Sequence, residues 1–188
     1  MADAAQREIV LPETKPETEW LRGRAVQKVS PKRKHGELQL WLGATLRAWA
    51  RGRGRVASEW RFRISPPGEV TRPLVPDISY LSYERMRGRA AGEWDTPLVA
   101  PDVAVEIRSP SDRTADIADK VATLLRAGTR LVVVIDPEAC TLTAHEARAT
   151  HDAHVYTERD TWTHPALPDF RLDVGEMFAE VDDSTLSP

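Results

Sequence analysis

The sequence predicts a single α/β domain built on a mixed central β-sheet flanked by helices. Three observations carry that reading. Segments with helix and strand periodicity follow one another as helix, three strands, helix, strand, an order that packs helices onto a mixed sheet. One strand, "LVVVID" at 131–136, is apolar throughout, as burial on both faces requires, whereas its neighbours alternate. The chain has 188 residues and shows no repeat or linker, which suits one core large enough to need no staples.

Taken in order, residues 1–18 are polar, contain Pro12 and Pro16, and read as a flexible N-terminal arm before a domain at 19–188. "RAVQKVS" (24–30) reads as a short strand ahead of the turn "PKRKHG". In "ELQLWLGATLRAWARG", Leu38, Trp41, Leu42, Thr45, Leu46 and Trp49 recur at helical spacing. "RVASEWRFRI" alternates along its length, which predicts one strand over 55–64 with Val56, Ser58, Trp60, Phe62 and Ile64 on one face. "SPPGE" then turns the chain into a strand around Asp77. Residues 84–97 form a polar loop, and its Trp94 is the tryptophan placed to touch a base. After a strand at 102–108, Ser111 or Asp112 caps the helix "TADIADKVATLLRAG", which turns Ile117, Val121, Leu124 and Leu125 inward and stops at Gly128. A strand near "AHVYTE" and a short helix around "GEMFAEV" close the chain.

Composition narrows the function. With 41% apolar and 29% charged residues the chain is not of a disordered type. Its one cysteine, Cys140, excludes an internal disulfide and fits a reducing compartment. The start lacks the basic and apolar regions of a secretory leader, and the longest apolar run, 131–135, is far too short to span a bilayer. The expectation is a soluble cytoplasmic protein with no membrane partner. The net charge of −3 hides an asymmetry, because residues 22–89 carry sixteen Lys and Arg against five acids. Such a basic half suggests a polyanion-facing surface, with Arg51, Arg53 and Arg55 as candidate phosphate contacts.

Two strands break the apolar rule. In "PDVAVEIR" Val103, Val105 and Ile107 alternate, but the opposite face reads Asp102, Ala104, Glu106, Arg108. Asp102 and Glu106 share a face yet lie roughly 13 Å apart, so one ion cannot bridge them. A carboxylate on the adjacent strand, about 4.8 Å away, can approach Glu106, and Asp77 in "VPDISYL" is the candidate. Two carboxylates held together repel unless a cation compensates, and hard ions such as Mg²⁺ suit them. Asp102 and His35 have sufficient structural explanations as turn and loop residues, whereas for Lys120 an i,i+4 pairing with Asp116 is the structural alternative to a catalytic role. His145, His151 and His154 lack the cysteines and helical frame of a zinc site. Ser109 has no histidine placed in sequence to activate it.

"SPKRKHGELQ", "VPDISYL", "PDVAVEIRSPSDR", Lys120 and "GTRLVVVIDPE" resemble the Uma-type putative restriction endonuclease family of the PD-(D/E)XK nuclease superfamily, over roughly residues 19–178. The resemblance implies a restriction-endonuclease-like core and metal-dependent hydrolysis of DNA phosphodiesters. It implies that Asp77 and Glu106 hold Mg²⁺ or Mn²⁺, with Glu37 as an auxiliary acid. The lysine usual two residues after the Glu is Arg108 here; the resemblance points to Lys120 on the following helix as the basic catalytic group, with Arg108, the other candidate, gripping the phosphate or neutralising Glu106. DNA and a second copy of the chain are the expected partners. The alternatives are a non-catalytic nucleic-acid-binding module with the same fold and a small-substrate phosphohydrolase. Asp77→Asn and Glu106→Gln are both expected to raise metal-free stability by removing like-charge repulsion.

Overall fold

The computed structural model describes residues 7–147 and 153–182. The helix predicted around Leu38–Trp49 forms as α1 (Arg33–Trp49), with Leu38, Leu42 and Leu46 buried. It begins four residues before the sequence pattern does, so "RKHG" belongs to its first turn and His35 lies on the helix. Burying each such leucine stabilises the fold by roughly 1.5–3 kcal/mol. A hairpin precedes it, β1 (Thr18–Leu21) paired antiparallel with β2 (Arg24–Gln27). After α1 the chain runs through β3 (Gly54–Ser58), β4 (Phe62–Ile64), β5 (Arg72–Leu74), β6 (Ile78–Ser82) and β7 (Val103–Ile107). Helix α2 (Thr114–Arg126) then crosses to β8 (Leu131–Asp136), which β9 (Thr141–His145) and β10 (His154–Thr157) follow. A closing hairpin, β11 (Thr161–His164) and β12 (Leu167–Asp173), leads into α3 (Val174–Ala179).

Six strands form the central sheet in the order β10-β9-β8-β7-β6-β3. All neighbours are antiparallel except β7 and β8, which α2 joins as a parallel pair. This is the mixed sheet and the helix, three strands, helix, strand core that the periodicity predicts. Alternation on β7 and β8 divides the interior. Val103, Val105, Ile107, Leu131, Val133 and Ile135 face α1 and α3. Ala104, Val132 and Val134 face α2 and the β4–β5 pair. Glu106, one step from Val105 and Ile107, therefore points to the α2 side.

The predicted continuous strand over 55–64 does not form. It breaks after Ser58, where Glu59 takes a left-handed backbone with φ of 49° and its N–H donates to the Asp77 carbonyl at 3.1 Å. Glu59 is drawn in by Lys28 and Gln39, so charge pairing overrides the strand pattern. Beyond the break β4 leaves the main sheet and pairs with β5 alone, carrying fully buried Phe62, Ile64 and Leu74 into the α2-side core. Along this pair runs the described part of the N-terminal segment. Ile9 N–H donates to Thr71 at 2.8 Å, Arg63 pairs with Glu8, and Arg61 pairs with Glu17. Among the described residues no helix is long and apolar enough to cross a membrane.

Candidate active site

The antiparallel register of β6 on β7 sets Ile78 against Val105. Extended by one pair, it sets Asp77 opposite Glu106. Asp77 Oδ2 accepts the Ile107 N–H at 2.7 Å, which fixes the carboxylate at the junction of the two strands. Glu106 is 3% exposed, and its Oε2 lies 2.9 Å from the ammonium of Lys120. Lys120 reaches it because α2 packs on the sheet face to which Glu106 points. The same ammonium contacts Glu19 Oε2 at 2.9 Å and donates to the Val75 carbonyl at 2.9 Å. Glu19, in mid-β1, accepts the Val75 N–H at 3.0 Å. Lys28, just beyond β2, sends its ammonium to Asp77 Oδ1 at 2.5 Å, to Glu59 at 3.1 Å and to the Val75 carbonyl at 3.1 Å. His35 Nε2 stands 3.6 Å from Asp77 Oδ1. Gln39 on α1 donates to the Asp77 carbonyl at 2.8 Å and to Glu59 at 3.1 Å. Glu19, Lys28, His35, Glu59, Asp77, Glu106 and Lys120 line one cavity of about 240 Å³.

The electrostatics separate the two central carboxylates. Burial pushes Asp77 up, but the Lys28 ammonium, His35 and Lys120 outweigh it and hold Asp77 well below the ordinary range. Burial also pushes Glu106 up, the Asp77 charge adds to it, and Lys120 offsets only part, so its carboxyl rises to about 8. Burial alone would lower Lys120, yet Glu106 and Glu19 raise it. Lys28 is raised in the same way, chiefly by Asp77. Both lysines thus remain ammonium groups. Glu106 Oε1 is buried with no hydrogen-bond partner, an orphaned acceptor of the kind that marks a missing ligand.

Of the residues that the sequence singles out, Asp77, Glu106 and Lys120 meet in this cavity, and so do His35 and Ser109, whose Nδ1 and Oγ lie 3.4 Å apart, a pairing that the sequence does not reveal. Glu37 does not line it; half-exposed, it pairs with Arg33 at 2.6 Å. Arg108, one residue past the end of β7, turns to Asp136 at 3.0 Å. Arg51, Arg53 and Arg55 lie at the other end of β3, because Gly54 pairs with Ser82 while Ser58 pairs with Ile78, next to Asp77. Arg53 sits over the Trp49 ring and Arg55 over that of Tyr83. Trp94 stacks on Trp60 with ring centroids 6.3 Å apart. Asp102, at the far end of β7, accepts the Ser82 N–H at 2.7 Å and pairs with Arg85 at 3.2 Å. Of the three C-terminal histidines, His151 lies outside the described residues. Sequence reasoning missed Glu19 and Lys28, and left His35 a loop residue. The one available signal was that "TEWL" and "RAVQ" make a hairpin around Arg22-Gly23, both at positive φ.

A family profile described as Uma2, putative restriction endonuclease, matches residues 5–175. The chain belongs to that family. Comparison with curated proteins gives no match. Among solved structures, a chain from Anabaena variabilis described as a putative nuclease is 25% identical to this Uma2 member. The likeness covers 91% of this chain and 94% of that one, with a TM-score of 0.79. The Uma2 member therefore has a restriction-endonuclease-like fold.

Proposed function

We propose that this Uma2 member is a divalent-metal-dependent endonuclease that hydrolyses DNA phosphodiester bonds. The observation that carries the reading is the buried Asp77–Glu106 pair with one carboxylate oxygen left without a partner. The oxygen donors present suit a hard ion, Mg²⁺ or Mn²⁺, held by Asp77 and Glu106. No group of three or more His, Cys, Asp or Glu side chains able to hold a metal occurs among the described residues. Water and substrate phosphate would complete the coordination, as Mg²⁺ prefers. The chemistry supplied by such an ion is neutralisation of phosphate charge and acidification of a water. In the metal-free pocket Glu106 and Glu19 favour the ammonium form of Lys120, and that ammonium is placed to orient the attacking water or balance charge on the phosphorane. Arg108 and Glu37, outside the cavity, act at most on substrate approaching its mouth. Cutting both strands of a duplex takes two such sites, which favours a two-fold homodimer; light scattering at tens of micromolar protein tests it.

The deciding experiment is nicking of supercoiled plasmid with Mg²⁺ or Mn²⁺, comparing the wild type with Glu106→Gln. Metal-stimulated cleavage that Glu106→Gln abolishes is the expected result. Salt-sensitive DNA binding without turnover replaces the reading with a non-catalytic binding module. Hydrolysis of p-nitrophenyl phosphate esters alone replaces it with a small-substrate phosphohydrolase.

A further inference from the structure

Among the residues lining the cavity, Glu19, Glu59, Asp77 and Glu106 are tied together through the ammonium groups of Lys28 and Lys120. Carboxyl groups outnumber ammonium groups in this set, which leaves it room for added positive charge. The two lysines are not held alike. Lys120 is 2% exposed and bound between Glu106, Glu19 and the Val75 carbonyl. Lys28 enters from the end of β2, shares the Val75 carbonyl at 3.1 Å, and bridges a buried anchor, Asp77, and one at the rim, Glu59, whose side chain is 40% exposed. The Ile107 N–H already engages Asp77 Oδ2. A cation approaching Asp77 therefore meets Oδ1, where Lys28 stands.

We infer that Lys28 is the resident counter-cation of the metal site, occupying Asp77 until a divalent ion displaces it toward Glu59. The inference rests on the two-carboxylate reading above. Its physics is direct. A buried carboxylate without a partner is costly, so the metal-free pocket needs an internal cation. Once a divalent ion sits on Oδ1, an ammonium on the same atom suffers like-charge repulsion in a poorly screened interior. Glu59 gives that ammonium a second partner at the rim without breaking its contact with the chain. Lys28 is then a positioning residue that sets metal affinity through Asp77, not a group that touches the reacting atoms.

The test is Mn²⁺ binding, read by electron paramagnetic resonance of the free ion, with no substrate present. Lys28→Met should bind Mn²⁺ about tenfold more tightly than the wild type. Lys28→Gln, which keeps a donor to Asp77 without the charge, should shift the same way. Lys32→Met, which removes an equal charge at the N-cap of α1, should change affinity by less than about threefold because solvent screens it. Glu106→Gln should weaken binding. Equal or weaker binding by both Lys28 variants, with Glu106→Gln still losing the ion, overturns the role of Lys28 and leaves the metal site standing. A Lys32→Met gain as large as that of Lys28→Met also overturns it. Absence of saturable Mn²⁺ binding in the wild type and both Lys28 variants overturns the two-carboxylate site and this inference together.

Discussion

Lys120 carries two carboxylates at once, and that makes it a stability residue as much as a chemical one. Lys120→Met leaves Glu106 and Glu19 buried without their cation and should cost about 3–5 kcal/mol, measured by urea unfolding in EDTA. Asp77 and Glu106, by contrast, part company. The Glu106 carboxyl rises from 4.5 to about 8, so between those values the folded protein binds a proton that the unfolded chain has released. Metal-free stability must therefore fall as pH rises through that window, by up to about 1.4 kcal/mol per unit. Glu106→Gln should flatten that slope in thermal melts in EDTA. Asp77 is shifted down from 3.8, so it stabilises the fold above that value and loses the contribution as pH falls below it. Asp77→Asn should therefore destabilise the protein at neutral pH, where like-charge repulsion alone predicts the opposite. At this scale Asp77 and Glu106 were legible because carboxylates interrupt an apolar period, and Lys120 because it sits beside a helix's apolar stripe. Glu19 and Lys28 were not. Each sits in a short segment whose alternation looks like an ordinary wet strand, and Glu19 meets its partner Lys120 across 101 positions.

The elements most readable from the sequence were those that a single period governs. α1 and α2 each bury one apolar stripe, β7 and β8 are buried on both faces, and all four form over the segments that carry those patterns, α1 starting one turn earlier. β3 and β4 show the limit. The ten residues 55–64 alternate faultlessly, yet the left-handed turn at Glu59 sends the two halves into different sheets. No periodicity encodes that, since the break depends on Lys28 and Gln39, which reach Glu59 from other elements. At the opposite end of β3, Gly54 is fixed by space. A Cβ there would lie 2.3 Å from the Leu81 carbonyl oxygen and 2.8 Å from Ser82 Cα, both backbone. Gly54→Ala should cost about 1–3 kcal/mol through overpacking and loosen the β3–β6 pair. Hydrogen exchange of the β3 amides alongside chemical denaturation checks both.

For the whole molecule, the central sheet sets the distance between chemistry and charge. Five residues of β3 separate the Asp77 end from the Arg55 end, about 13 Å of strand, or about four nucleotide rises along one DNA strand. If Arg51, Arg53 and Arg55 grip phosphates, they do so several nucleotides from the cut. Triple charge reversal there should weaken duplex affinity and flatten its dependence on salt between about 50 and 200 mM. Fluorescence anisotropy in EDTA measures this, and an unchanged slope removes these arginines from the interface. The way the site is stitched together has a further effect, one of timing. The hairpin bearing Glu19 is synthesised before Lys120, which follows 101 residues later, about 5–20 s at ordinary rates of synthesis. During that interval the acidic pocket has no floor. A nascent chain holding only the hairpin and first helix thus cannot close this pocket, and whatever the pocket does must wait for the second helix.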